Sequence, residues 1–257
     1  MVLMATDNPI QKFYESNPRM VSSPFGGIEG INTELLNEVL AALDIDFSGK
    51  RVLDVGCGRG YIDAVVEAQG GQYVGADFVI SRGGFPLVQA DAARLPFSDE
   101  VFDVLLCVDA SEHFPDPAGA AREFFRVLKP GGVFFLSAPN YGNVAGVVKW
   151  ACEGMGWYEP NTWAPFGRWQ PQELEQPLTP GFIREVYGAA GFTAIRALGH
   201  GAEVGLGLFP WVDHPRMPEA VQFRLQRLFA HLGPAVAKRL PSASLHLFWR
   251  MEKANAD

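Results

Sequence analysis

The apolar positions along the chain alternate between two periods. Leu35, Leu36, Val39, Leu40 and Leu43 recur at helical spacing, which predicts a helix over 32–43 with Asn32 placed to cap its first turn. Arg51–Val55 follows as a short block too uniformly apolar for a half-exposed strand, so it reads as a buried one. A helix over 61–69 closes at Gly70 and Gly71, and strands are predicted over 72–76, 86–89 and 101–108. Pro117 opens a helix with Ala121, Phe124, Phe125 and Leu128 on one face, stopped by the run Lys129, Pro130, Gly131, Gly132. A strand over 133–137, a helix over 179–190 capped by Gly191, a strand over 192–198, a helix over 218–232 and a strand over 245–251 complete the pattern. Strands and helices that alternate this way imply a parallel sheet with helices on both faces.

Periodicity fades in two places. Residues 1–31 are polar and turn-rich, with Pro9, Pro18, Pro24, Gly26 and Gly27, and hold room for one short helix near 9–16. Residues 140–180 carry Tyr141, Trp150, Trp157, Tyr158, Trp163 and Trp169, in a stretch too long for a plain connection. The expected organisation is therefore an N-terminal arm or lid over 1–31 and a core over 32–139. An aromatic-rich insertion or substrate lid follows over 140–178. The rest of the core sheet lies in 179–257, with a lid region at 200–235.

Composition narrows the function. The 257 residues are 48% hydrophobic and 19% charged, as in an ordinary globular chain, and the net charge is −8. An acidic surface repels a phosphate backbone, so no nucleic acid partner is expected. Arg216, Arg224, Arg227, Lys238 and Arg239 thicken the C-terminal third, but over a helical pattern they read as a solvated face. Cys57, Cys107 and Cys152 form no metal-like pair, and no two histidines have ligand spacing, so no metal is expected and a reduced, cytoplasmic location is. The first residues lack the basic-then-apolar order of a signal peptide, and no run of 18 apolar residues exists, so no membrane partner is expected either.

The chemistry begins at Asp54-Val55-Gly56-Cys57-Gly58-Arg59-Gly60. A dinucleotide site asks for GxGxxG with a pyrophosphate on the following helix. Here the third glycine falls one position early, and Asp54 at the strand end works against a pyrophosphate. A carboxylate there suits a ligand with an ammonium or sulfonium group. The run resembles the first motif of class I S-adenosylmethionine (SAM)-dependent methyltransferases. The sequence is similar to that family at four further places in order. They are the strand ending at Asp77, the Asp91-Ala92-Ala93-Arg94-Leu95-Pro96-Phe97 loop, the Glu112-His113-Phe114-Pro115-Asp116-Pro117 strand exit, and the Arg126-Val127-Leu128-Lys129-Pro130-Gly131-Gly132 turn.

The resemblance implies a Rossmann-like, seven-stranded, mostly parallel sheet with helices on both faces and the last strand antiparallel. It implies SAM as cofactor, S-adenosylhomocysteine as product and transfer to an O, N or C atom. It places Gly56, Cys57, Gly58 and Gly60 along the cofactor and Asp54 by its ammonium. It also places Asp77 with Phe78 at the ribose, Asp91 and Ala92 at the adenine, and Asp109 and His113 at the methionine end. Tyr14 reaches in from the N-terminal arm. Leu95 and Phe97 read equally as adenine contacts or core. One departure stands out: VISRGGFP between Asp77 and Asp91 replaces the helix that most family members carry there.

The expected acceptor is a small molecule of aromatic or secondary-metabolite type, under an aromatic lid of Tyr141, Trp150, Trp157, Trp163 and Trp169. His113, His200 and His214 are the candidate bases, while His231 and His246 read as structural. The alternatives are a SAM-binding protein with no transfer or a divergent reaction, and an RNA or protein methyltransferase; a nicotinamide oxidoreductase fits the glycine spacing poorly. The chain is read as a monomer or homodimer.

Overall fold

In the computed structural model, residues 26–27, 30–31, 33–79, 84–155, 176–213 and 217–255 are described. Seven strands form one sheet: β1 (Arg51–Val55), β2 (Gln72–Asp77), β3 (Leu87–Gln89), β4 (Phe102–Val108), β5 (Leu128–Pro139), β6 (Phe192–Gly199) and β7 (His246–Lys253). Their order is β3-β2-β1-β4-β5-β7-β6. β1 through β5 pair in parallel, and β7 runs antiparallel to both β5 and β6. The expected architecture, with its antiparallel last strand, is the one found.

Strand alternation sorts the core into two layers. Leu53, Leu105, Phe134 and Trp249 face the helices α3 (Pro117–Val127) and α5 (Pro180–Ala190). Their intervening neighbours Val52, Leu106, Phe135 and Phe248 face α1 (Thr33–Ala42) and α2 (Asp63–Ala68), where Leu36, Val39, Leu40 and Val66 are buried. Phe134 is an aromatic hub, with Phe124, Tyr187 and Phe192 rings 5.2–5.4 Å away.

Local chemistry sets the helix ends. Asp116 caps α3 by accepting the Gly119 N–H at 2.8 Å, with Pro117 in the first turn. Thr179 accepts the Phe182 N–H at the start of α5, and Gly191 ends it at φ +109°. The Asn32 cap and the helix near 9–16 lie outside the described residues.

Several elements differ from expectation. The segment 140–178 contains a helix, α4 (Val144–Gly154), opened by Asn143, whose side chain accepts the Gly146 N–H at 2.8 Å. It was hidden because Val144, Ala145, Val147, Val148, Trp150 and Ala151 blur the 3.6-residue stripe. α2 is shorter than 61–69, because positive φ at Gly60 delays the helix. β5 starts at Leu128 rather than 133, since the Lys129–Gly132 turn is absorbed as an irregularity in the β4–β5 ladder. The helix over 218–232 extends as α7 (Glu219–Arg239), through Gly233 and Pro234. A Cβ on Gly233 would lie 2.0 Å from the Gly201 carbonyl oxygen, so close packing on the turn 201–203 sustains the helix there. A short helix, α6 (Val204–Leu208), precedes it.

Candidate functional site

All parallel strands end at one edge of the sheet, and β7 begins there, with His246 opposite Pro139. That edge gathers Gly56–Gly60 after β1, Asp77 at the end of β2, Asp91 after β3, Asp109 to His113 after β4, Asn140 after β5 and His200 after β6. It is rich in carboxylates: Asp54, Asp77, Asp91, Asp109, Glu112 and Glu203. Such an edge favours a cationic ligand group over a phosphate.

Gly56, Gly58 and Gly60 have φ of +76°, +53° and +70°. Two of them are tightly packed. A Cβ would lie 2.3 Å from the Ala110 Cβ at Gly56 and 2.2 Å from the Phe85 ring at Gly60. At Gly58 a Cβ would meet nothing within 4 Å, so the loop has open room there. Cys57 is buried and points the other way; a Cβ on Gly75 would lie 2.6 Å from its Sγ. Burial pushes the Cys57 thiol far above its ordinary range, so it offers the site its backbone and no thiolate.

Asp54 is 2% exposed. The Tyr73 hydroxyl donates to its Oδ2 at 2.7 Å, and its Oδ1 has no hydrogen-bond partner among the described residues. Burial, with the Asp77 charge adding, raises the carboxyl to about 7 against the Tyr73 hydrogen bond. An unpartnered carboxylate oxygen at the foot of a loop with open room at Gly58 suits an ammonium-bearing ligand.

Asp77 is bound to the loop itself. Its Oδ2 accepts the Gly58 N–H at 2.8 Å and its Oδ1 the Val79 N–H at 2.9 Å. Burial raises its pKa while these backbone donors lower it. Each oxygen keeps a further acceptor direction, enough for two hydroxyls. Phe78 is half-buried, and its carbonyl accepts from Gln89 Nε2 at 2.8 Å. Asp91 makes an Asx turn, accepting the Ala93 N–H at 2.9 Å, and Ala92 is buried. No helix occurs among the described residues of 78–86. Leu95 and Phe97 belong to the core, with Phe97 edge-on to Phe102 at 5.0 Å.

Sequence reasoning overlooked what holds the 91–99 loop. The Arg126 guanidinium donates to the Phe97 and Leu95 carbonyls, to Asp99 and to Glu123, and Glu123 accepts the Leu95 N–H. The motif placed Arg126 only in a turn; its reach back across the loop is a tertiary contact.

After β4, Asp109 adopts φ +48° and is fastened to β5: its N–H donates to the Ser137 carbonyl and its Oδ1 accepts the Ser137 hydroxyl at 2.6 Å. Glu112 and His113 are buried in the turn Ser111–His113, with His113 Nε2 3.9 Å from Glu112 Oε1. Gln176 ties the returning chain to this turn, its N–H donating to the Glu112 carbonyl and its Nε2 to that of Phe114.

His246, expected to be structural, stands at the same edge. It forms a buried ion pair with Glu203: Nδ1 lies 3.1 Å from Oε1, and the His246 N–H donates to Oε2 at 3.0 Å. Burial opposes the charged ring, but Glu203, with Asp109 and Glu112 behind it, raises His246 to about 9. An antiparallel β7 brings its first residue to the carboxyl edge, and that topology is the signal that could have found it. His200 opens the turn Gly201–Glu203, half-buried.

Tyr141, two residues past β5, lines a groove of about 240 Å³ with Val147, Trp150, Pro177 and Thr179. Lys149 is fully buried behind it; its Nζ donates to the Tyr141 hydroxyl and lies 4.8 Å from the ring centre. Tyr14, Trp157, Trp163, Trp169 and His214 lie outside the described residues. No cluster of metal ligands occurs among the described residues.

The methyltransferase domain family model matches residues 53–136. A ubiquinone biosynthesis O-methyltransferase of Pseudomonas putida (strain W619) is 34% identical over 113 residues, covering 37% of this chain and 47% of that relative. The chain thus spans about half the length of the curated relatives it matches. Among solved structures, the methyltransferase in complex with the Haloferax volcanii Trm112 activator superposes with TM-score 0.61 at 16% identity, over 96% of this chain and 99% of that one. The cyclase SpnF superposes with TM-score 0.55 at 18% identity, over 96% and 92%. At these identities the likeness is one of fold.

Proposed function

We propose that the chain, whose residues 53–136 match the methyltransferase domain family model, is a class I SAM-dependent methyltransferase that transfers the SAM methyl group to an O, N or C atom of a small-molecule acceptor of aromatic or secondary-metabolite type. The observations that carry the reading are the orphaned, buried Asp54 Oδ1 at the end of β1 and the open side of Gly58 in the loop that follows, at an edge lined with carboxylates. Asp54 and the Gly56–Gly60 backbone hold the methionine end, with Cys57 contributing backbone only. Asp77, beside Phe78, accepts from the ribose hydroxyls, Asp91 and Ala92 meet the adenine, and Asp109, Glu112 and His113 border the methionine end. When bound, SAM supplies a methyl carbon activated by a sulfonium leaving group.

The protein's part is to place a nucleophile in line and exclude water. The groove of Tyr141, Val147 and Trp150 supplies apolar walls for a planar acceptor, and the O-methyltransferase name of the Pseudomonas relative is consistent with an oxygen acceptor. His246 at about 9 is an imidazolium at neutral pH and no base. His113, beside Glu112, is the first candidate proton acceptor and His200 the second.

The test is release of S-adenosylhomocysteine with a panel of phenolic and other aromatic acceptors. Trp150→Ala should raise the acceptor KM and leave SAM affinity unchanged. His113→Ala should lower kcat with SAM binding retained; a collapse of binding instead gives His113 a structural role. SAM that binds but yields no product with any acceptor class would favour a SAM-binding protein of another activity.

A further inference from the structure

α7 carries Arg224, Arg227, Lys238 and Arg239 against one acid, Glu219, in a chain whose net charge is −8. At 100° per residue, Arg224, Arg227, His231 and Lys238 fall within an arc of roughly 60°. Beside them, Val221, Leu228 and Leu232 fall within roughly 40° on the same helix. These three are about half exposed, and Phe223, on the other flank of the basic row, is 66% exposed. The seam that packs on the protein is elsewhere, at Gly233 and Ala237, with Leu225, Phe229 and Val236 half-buried between. Going round the helix, the order is buried seam, exposed aliphatic row, basic row. Ahead of the helix, Leu208 and Trp211 are also exposed, on elements that pack against α7.

We propose that this outward face of α7 docks on an anionic lipid surface. A helix of 21 residues is about 30 Å long and lies flat on a bilayer. Its aliphatic row enters the acyl boundary while the arginines and lysine reach the phosphates beside it. Trp211 is of the type that settles at a headgroup boundary. A second copy of the chain fits less well, because self-pairing brings the same basic row against itself. RNA would satisfy the cations but leave Val221, Leu228 and Leu232 without a partner. No helix of the described residues is long and apolar enough to span a membrane, so the interaction is one of surface. It does not depend on which acceptor is methylated.

The experiment is flotation of the purified full chain with vesicles of phosphatidylcholine alone or mixed equally with phosphatidylglycerol, at low and high salt. More protein floats with the anionic vesicles, and high salt abolishes the difference. Arg224→Ser with Arg227→Ser lowers the anionic partition by about fivefold per charge removed. Leu228→Ser with Leu232→Ser lowers it further, with SAM titration of each variant verifying the fold. Equal flotation on both vesicle types overturns the proposal. So does wild-type dimerisation that these variants abolish, or binding to RNA in place of vesicles.

Discussion

The two halves of the sheet's carboxyl edge are built differently. On the β1–β2–β3 side, the groups that face the cradle come from short segments. Asp54, Gly56, Gly58 and Asp77 lie within 24 positions of one another and are joined by the Gly58–Asp77 and Tyr73–Asp54 hydrogen bonds, each spanning 19 residues. On the β5–β7 side the bonds are long. The Asn140 side chain donates to the Ser242 and Ser244 carbonyls, and Asn143 donates to Ser244, across 101 to 104 residues. Glu203 meets His246 across 43. The β1–β3 side, the proposed cofactor side, is thus a set of local devices, and the β5–β7 side, the proposed acceptor side, is assembled only once the C-terminal strand is in place.

That difference can be broken at either side, and the largest effect should come from the glycine loop. Gly60→Val places a side chain inside the Phe85 ring at positive φ. It should cost more than about 4 kcal/mol or prevent folding, read by thermal unfolding. A folded variant with normal stability would show that the loop is less constrained than its packing indicates.

Glu203→Gln should destabilise by about 3–5 kcal/mol, since it leaves a buried imidazolium without its counter-charge. The pH dependence carries the sign. His246 is raised from 6.5 to about 9 on folding, so its contribution is fully present below 6.5 and is lost as pH rises through about 9. Urea titrations between pH 6 and 10 should show that alkaline loss in the wild type and not in Glu203→Gln. SAM affinity should change little in the variant, if the acceptor side is separate from the cofactor side.

Asp77→Ala should weaken SAM binding by about 2–4 kcal/mol, because it removes both the ribose acceptors and the anchor of the Gly58 N–H. Unchanged affinity in calorimetry would refute the ribose assignment. Gly58→Ala should cost only about 1 kcal/mol of stability, for positive φ alone, yet lower SAM affinity by filling the cradle. Equal losses of stability and affinity would show that Gly58 is structural.

Asp54 is the exception, because replacing it should stabilise the ligand-free chain. Its carboxyl is raised on folding from 3.8 to about 7, so the folded state holds the extra proton and stability falls as pH rises across that window. Asp54→Asn should flatten this slope and stabilise the ligand-free chain while weakening SAM binding.

Legibility in the sequence follows the same division. β1, β2 and β4, the Gly191 cap and the glycine loop were readable, because each is set by neighbours a few positions away. The loop over 91–97 was readable as a motif, but its clamp by Arg126 was not. α4 was missed because its apolar residues cover more than one face and its cap residue, Asn143, is oriented by Ser244 from the far end of the chain. The Glu203 partner of His246 was not readable, because a strand residue's place depends on strand direction, and pattern alone does not give that.

The most direct test is calorimetric titration of the purified chain with SAM, S-adenosylhomocysteine and NAD. The account predicts that both sulfur nucleosides bind at one site per chain and that NAD does not. A folded chain that binds neither sulfur nucleoside, or that binds NAD in their place, would contradict it.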